Sequence, residues 1–133
     1  MSLPNPNPPN PKSQNRTKGK FGESLASTYL AQKNYQIIDK NVSTRYGEID
    51  IVARRPDNVT VFVEVKCRIG DKYGMPYESV TYGKLKRLSK VIQFYLLKNR
   101  LMNSKLAIEV VSIVLDENRV VSKIHHFENI AIV

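Results

Sequence analysis

The apolar positions change period along the chain, and each change predicts an element. From Gly19 to about Lys33, Phe21, Leu25, Tyr29 and Leu30 recur at helical spacing, with Asn34 as a stop signal. Tyr35 to about Thr44 holds Ile37, Ile38 and Val42 and predicts a strand, which the turn at Arg45-Tyr46-Gly47 joins to a second. In that second strand, residues 48 to 54, strict alternation sets Ile49, Ile51 and Ala53 on one face and Glu48, Asp50 and Val52 on the other. After the Pro56-Asp57-Asn58 turn, Val59 to Arg68 carries Val61, Val63 and Val65 on one face and Phe62, Glu64 and Lys66 on the other. This third strand should be central. Gly70, Gly74 and Pro76 predict a loop over residues 70 to 80, with Tyr73 and Tyr77 packing in it. From Thr81 to about Arg100, Leu85, Leu88, Ile92, Tyr95 and Leu96 form an apolar helical stripe. Leu106 to Leu115 and Val120 to Phe127 are β-rich runs split by Asp116-Glu117-Asn118-Arg119, which predicts a closing hairpin. The order helix, three strands, helix, two strands is that of an α/β domain.

Residues 1–18 break this regularity. They hold five of the seven prolines and no acid, and are expected to form a flexible basic tail ahead of a domain at 19–133. The chain's 133 residues suit one domain. No apolar run reaches the roughly 18 residues that a membrane span needs, and no secretion signal is apparent, so a cytoplasmic protein is expected. The lone Cys67 has no disulfide partner, and with only His125 and His126 beside it a Cys/His zinc site is disfavoured. Cys67 is expected in the core, and the two histidines in structural or surface roles.

Charge changes the picture more than size does. Lys and Arg number 21 against 12 acids, a net charge of +9, which points to a polyanion such as nucleic acid. The excess outlives the tail, because the second helix carries Lys84, Lys86, Arg87, Lys90, Lys98 and Arg100 with no acid among them. Lys84, Arg87 and Lys90, with Lys20, Arg45 and Arg68, are the candidate phosphate contacts. Such contacts give affinity without reading sequence.

The chemistry collects at the end of the third strand. Residues two apart on a strand are about 6.6 Å apart on one face, so Glu64 and Lys66 can reach one point above the sheet. Antiparallel pairing across the preceding turn can bring Asp50 beside Glu64. Two neighbouring carboxylates raise one pKa or demand a cation, and a hard ion such as Mg²⁺ or Mn²⁺ meets that demand with oxygen ligands. Glu23, on the polar side of the first helix, is a third candidate ligand. A bound divalent ion polarises a phosphodiester and acidifies water, while an adjacent lysine orients the nucleophile.

Three motifs in order, Gly19-Lys-Phe-Gly-Glu23, Gly47-Glu-Ile-Asp50 and Phe62-Val-Glu64-Val-Lys66-Cys-Arg68, resemble the YraN family of bacterial proteins, over roughly residues 18 to 133. Lys84 and Tyr95-Leu96 fit its second helix. Val42-Ser-Thr-Arg45 replaces a more usual Trp-Arg stretch, and Ile108-Glu109 stands where Phe-Asp is common. The family is related to archaeal Holliday junction resolvases within the restriction-endonuclease-like superfamily. The resemblance implies a mixed sheet of about five strands with flanking helices. It also implies Glu23, Asp50, Glu64 and Lys66 as the active-site set, with Glu23, Asp50, Glu64 and the Val65 carbonyl on the metal. The expected function is metal-dependent DNA cleavage, with branched or structured DNA as the implied substrate and a homodimer as the arrangement that cuts two strands symmetrically. The alternative is a nucleic-acid-binding protein that keeps the fold without the catalysis.

Overall fold

The computed structural model describes residues 11–70, 81–101 and 104–132. Its elements are α1 (Pro11–Gln32), β1 (Gln36–Thr44), β2 (Gly47–Arg54), β3 (Thr60–Ile69), α2 (Tyr82–Lys98), β4 (Leu106–Leu115) and β5 (Val121–Ile132). The helix expected from Gly19 begins at Pro11, so residues 11–18 carry helical backbone where composition predicts a tail. Proline suits a first helical turn, where its missing N–H has no partner to lose. Residues 1–10 of that tail, and residues 71–80 of the loop with Tyr73 and Tyr77, lie outside the described residues.

The strands form one mixed sheet in the order β1-β2-β3-β4-β5, with β3 in the middle. Neighbours are antiparallel except β3 and β4, which run parallel from Thr60↔Leu106 to Ile69↔Leu115. A parallel pair needs a crossover, and α2 lies between β3 and β4 in the chain. All ten β4 residues are buried, as expected of a strand paired on both edges.

The alternation of β3 divides the interior into two cores. Val61 and Val63 pack with Ala26 and Leu30 of α1, whereas Phe62 packs with Leu88, Val91, Ile92 and Tyr95 of α2. The α2 stripe is thus the expected one with Val91 added, and Leu85 only partly buried. The α1 stripe differs. Phe21 is 43% exposed, and the buried line runs through Gly22, Ala26 and Leu30. Small residues let the helix approach the sheet: a Cβ on Gly22 would stand 2.7 Å from Cys67 Cβ. Cys67 accordingly packs against the α1 core, as expected.

A second departure bears on the site. Ile49, expected beside Ile51, packs instead with Val52 and the α2 core. Pairing of β2 with β3 runs from Arg54↔Thr60 to Ile51↔Val63 and extends no further toward Gly47. Beyond Ile51 the strand parts from β3 and keeps only its pairing with β1, down to Thr44↔Gly47.

Candidate metal and nucleic-acid site

Asp50 is the first residue past that parting. The N–H of Val65, which has no β2 carbonyl opposite it, donates to Asp50 Oδ2 at 2.8 Å. The carbonyl of a strand residue points to the same side as its own N–H, so the Val65 carbonyl also faces the gap. Burial pushes the Asp50 carboxyl up to about 7, the charge of Glu64 and more weakly that of Glu23 push the same way, and the Val65 bond and Lys66 oppose them. The charges of Glu23, Glu64 and Lys66 therefore all reach Asp50 although they come from α1 and β3.

Because the folded carboxyl titrates near 7 and an unfolded aspartate near ~3.9, the folded chain retains a proton that the unfolded chain has released. The stability from that proton is present at low pH and is lost as pH rises through about 7. Asparagine can still accept from Val65 N–H but has nothing to ionise. In the absence of divalent metal, Asp50→Asn should raise stability at pH 8 by on the order of 2 kcal/mol, and the gain should vanish near pH 4. Thermal melts at the two pH values check this; an equal or lower melting temperature at pH 8 would contradict it.

Glu64 and Lys66 follow Phe62 on the face of β3 turned to α2. Glu64 Oε1 lies 2.8 Å from Lys84 Nζ and 3.6 Å from Lys66 Nζ, with the three side chains 13%, 19% and 29% exposed. Burial, and then the neighbouring Lys84 ammonium, draws the Lys66 pKa below its ordinary value. Burial opposes the charge on Lys84 as well, but the bonds to Glu64 and Lys66 together with the charges of Glu64 and Asp50 outweigh it, and its pKa is raised. A cleft of about 140 Å³ opens over this group, lined by Tyr46, Glu48, Glu64, Lys84, Arg87 and Val91 among others. Arg45 lies over the ring of its neighbour Tyr46, 4.8 Å from the centroid, and donates to the Tyr46 hydroxyl at 2.6 Å. A larger cleft of about 420 Å³ lies at the other end of β2 and β3, around Arg54, Thr60 and Lys105. Its one acid, Asp57, is bound to Arg55 and belongs to a different surface.

The sequence matches the group described as "Uncharacterised protein family UPF0102" over residues 22–113, a span that holds every acid and lysine of this site. A UPF0102 protein of Clostridioides difficile is 42% identical over 106 residues, 80% of this chain and 92% of the relative. One from Syntrophomonas wolfei is 42% identical over 115 residues, 86% of this chain and 97% of the relative. The chain belongs to the UPF0102 (YraN) family. The five-stranded mixed sheet between two helices is the architecture that the YraN resemblance implies.

In this UPF0102 chain the expected site residues are brought together unequally. Asp50, Glu64, Lys66 and the Val65 backbone share the parting of β2 and β3. Glu23 approaches from α1, where Gly22 seats the helix on Val65 and Cys67. Among the described residues no three His, Cys, Asp or Glu side chains are gathered closely enough to hold a metal. The donors are nevertheless of the right chemistry: oxygen atoms, two of them on mutually repelling carboxylates. Of the expected phosphate contacts, Lys20, Arg45, Arg87 and Lys90 are exposed, and Arg68 is half-buried on β3. Lys84 stands apart from them, held inside the cleft on Glu64. That pairing, and the places of Tyr46 and Glu48 in the cleft, are not read from the sequence. One signal for Lys84 is present: it lies in the first helical turn after the Thr81 cap, where the helix dipole favours an acid.

Proposed function

We propose that this UPF0102 protein is a metal-dependent DNA endonuclease that acts in the cytoplasm on branched or otherwise structured DNA, with two copies cutting the two strands. The observation that carries this reading is the meeting of Asp50, Glu64 and Lys66 where β2 leaves β3, beside a cleft that Glu64 and Arg87 line. Asp50 and Glu64, with the Val65 carbonyl and Glu23, would hold Mg²⁺ or Mn²⁺. When bound, that ion supplies polarisation of the phosphodiester and a more acidic water. The chain's own groups do the rest. Arg45, Arg87 and Lys90 hold the phosphate backbone by contacts indifferent to base sequence. Lys66 aims a water at phosphorus; the water oxygen bonds to phosphorus and sheds one proton as a P–O ester bond breaks, and the departing oxygen takes up a proton, so the proton count balances. The depressed proton affinity of Lys66 suits a group that exchanges hydrogen bonds with that water.

Calorimetric titration with Mn²⁺ tests the ligand set. The wild-type chain should bind, and Asp50→Asn and Glu64→Gln should each weaken binding by about tenfold or more, a typical loss when a metal's oxygen partners are altered. Wild-type affinity in both variants would overturn the metal site.

A further inference from the structure

The acid that the proposed metal needs already has a cation on it, and not the one that the motif supplies. Lys84 Nζ is 2.8 Å from Glu64 Oε1, whereas Lys66, two residues along the same strand, stands 3.6 Å away. The closer contact is made across the cleft by α2. Both partners are largely withdrawn from water, so the pair is little screened by salt.

The place of Lys84 in its helix makes this contact more telling. Thr81 caps α2, its hydroxyl accepting from the Lys84 N–H, and the first turn contains no acidic residue. A positive side chain there faces the positive end of the helix dipole, so the helix by itself disfavours Lys84. Glu64 is the acid that offsets the misplaced charge. Conversely, a cation arriving between Asp50 and Glu64 finds an oxygen of Glu64 engaged.

We infer that Lys84 is a resident counter-ion of the site, which the divalent metal must displace from Glu64. Its four-carbon stem can then carry the ammonium to the cleft mouth. There it joins Arg87, one helical turn on and exposed in the same cleft, on the phosphate backbone of the substrate. Metal loading and substrate binding are thereby coupled. Without metal the lysine keeps Glu64 neutralised; with metal it becomes a phosphate ligand. This inference rests on the metal-site reading above and assigns Lys84 a positioning role in it.

The test is Mn²⁺ titration of the full-length wild-type chain, Lys84→Met, Lys84→Gln and Arg87→Met, each checked for folding by its melting curve. Arg87→Met removes the same charge from the same cleft without touching Glu64, so it controls for long-range electrostatics. Lys84→Met and Lys84→Gln should each bind Mn²⁺ about tenfold more tightly than wild type, and Arg87→Met should change affinity less than threefold. Wild-type or weaker affinity in both Lys84 variants, while Glu64→Gln still impairs binding, would overturn the exchange and leave the metal site standing. Equal tightening by Arg87→Met would also overturn it, because general charge would then explain the effect. No Mn²⁺ binding by any of the chains would overturn the exchange and the metal site together.

Discussion

Lys66→Ala should cleave DNA about 10²–10⁴ times more slowly than the wild-type chain, the span typical of losing a positioned proton-handling group. Its affinity for DNA should change little. If Lys66 aims the attacking water, its contribution is made mainly in the transition state, so turnover falls while binding stays. The structure makes this variant interpretable. Lys66 is 29% exposed, and its removal leaves Glu64 paired with Lys84 at 2.8 Å, so no buried carboxylate is orphaned and the fold should survive. Single-turnover cleavage rates, read beside a binding isotherm and a melting curve, check the expectation. Cleavage at the wild-type rate would remove Lys66 from catalysis; a fall in affinity as large as the fall in rate would make it a binding residue.

The largest effect on stability should come from a residue outside the site. Glu109 of β4 is fully buried, and its carboxylate accepts from Tyr35 Oη at 2.8 Å, Arg55 Nη1 at 2.9 Å and the Asn129 N–H at 3.3 Å. His126 Nε2 lies 2.9 Å from Oε1, the oxygen that also accepts from Tyr35, with Lys33 Nζ 3.3 Å from the opposite ring nitrogen. Burial alone would push the Glu109 carboxyl up, but the bonds from His126, Tyr35 and Arg55 more than offset it, and its pKa lies below the ordinary value. Glu109→Ala would leave the Tyr35 hydroxyl and the His126 ring without their acceptor in the core and take one of two carboxylates from Arg55, which keeps Asp57 at 2.7 Å. Breaking a buried charged network from one side costs about 3–5 kcal/mol, which denaturant unfolding would measure directly. None of these partners lines the cleft over Glu64, so the folded fraction should cleave DNA normally. A loss below about 1 kcal/mol would show that the network is solvated and stabilises little.

The parts of the fold that were legible in the sequence are those carried by large apolar residues at a constant period. Val61, Val63 and Val65 against Phe62, Glu64 and Lys66 mark β3, its central place and its two faces, because the strand stays paired with β4 along its whole length and so keeps its phase. The α2 stripe was legible for the same reason. The α1 stripe was misread at Phe21 because the contact is made by Gly22 and Ala26, whose small size carries no hydrophobic signal but sets how near the helix can lie. Ile49 departs from the alternation where β2 has parted from β3 and is held by β1 alone, a loss of one neighbour that leaves no mark in the sequence. That same parting frees the Val65 N–H for Asp50, so the irregularity that defeats the pattern builds the site. In the sequence Lys84 is one more cation on a basic helix; its partner is 20 residues away on another element, and only the packing of α2 over β3 shows it to be internal. Glu109 stood out only as a departure from the family's Phe-Asp, since its partners come from residues 35, 55, 126 and 129.

The decisive measurement is cleavage itself. The purified full-length chain is incubated with duplex, single-stranded, flapped and four-way DNA in Mg²⁺ or Mn²⁺, beside Asp50→Asn and Glu64→Gln prepared identically. Metal-dependent cutting of at least the four-way or flapped substrate, abolished in both variants, is the expected result. Binding without cutting on all four substrates would contradict the endonuclease reading and leave a nucleic-acid-binding protein on a nuclease-like fold.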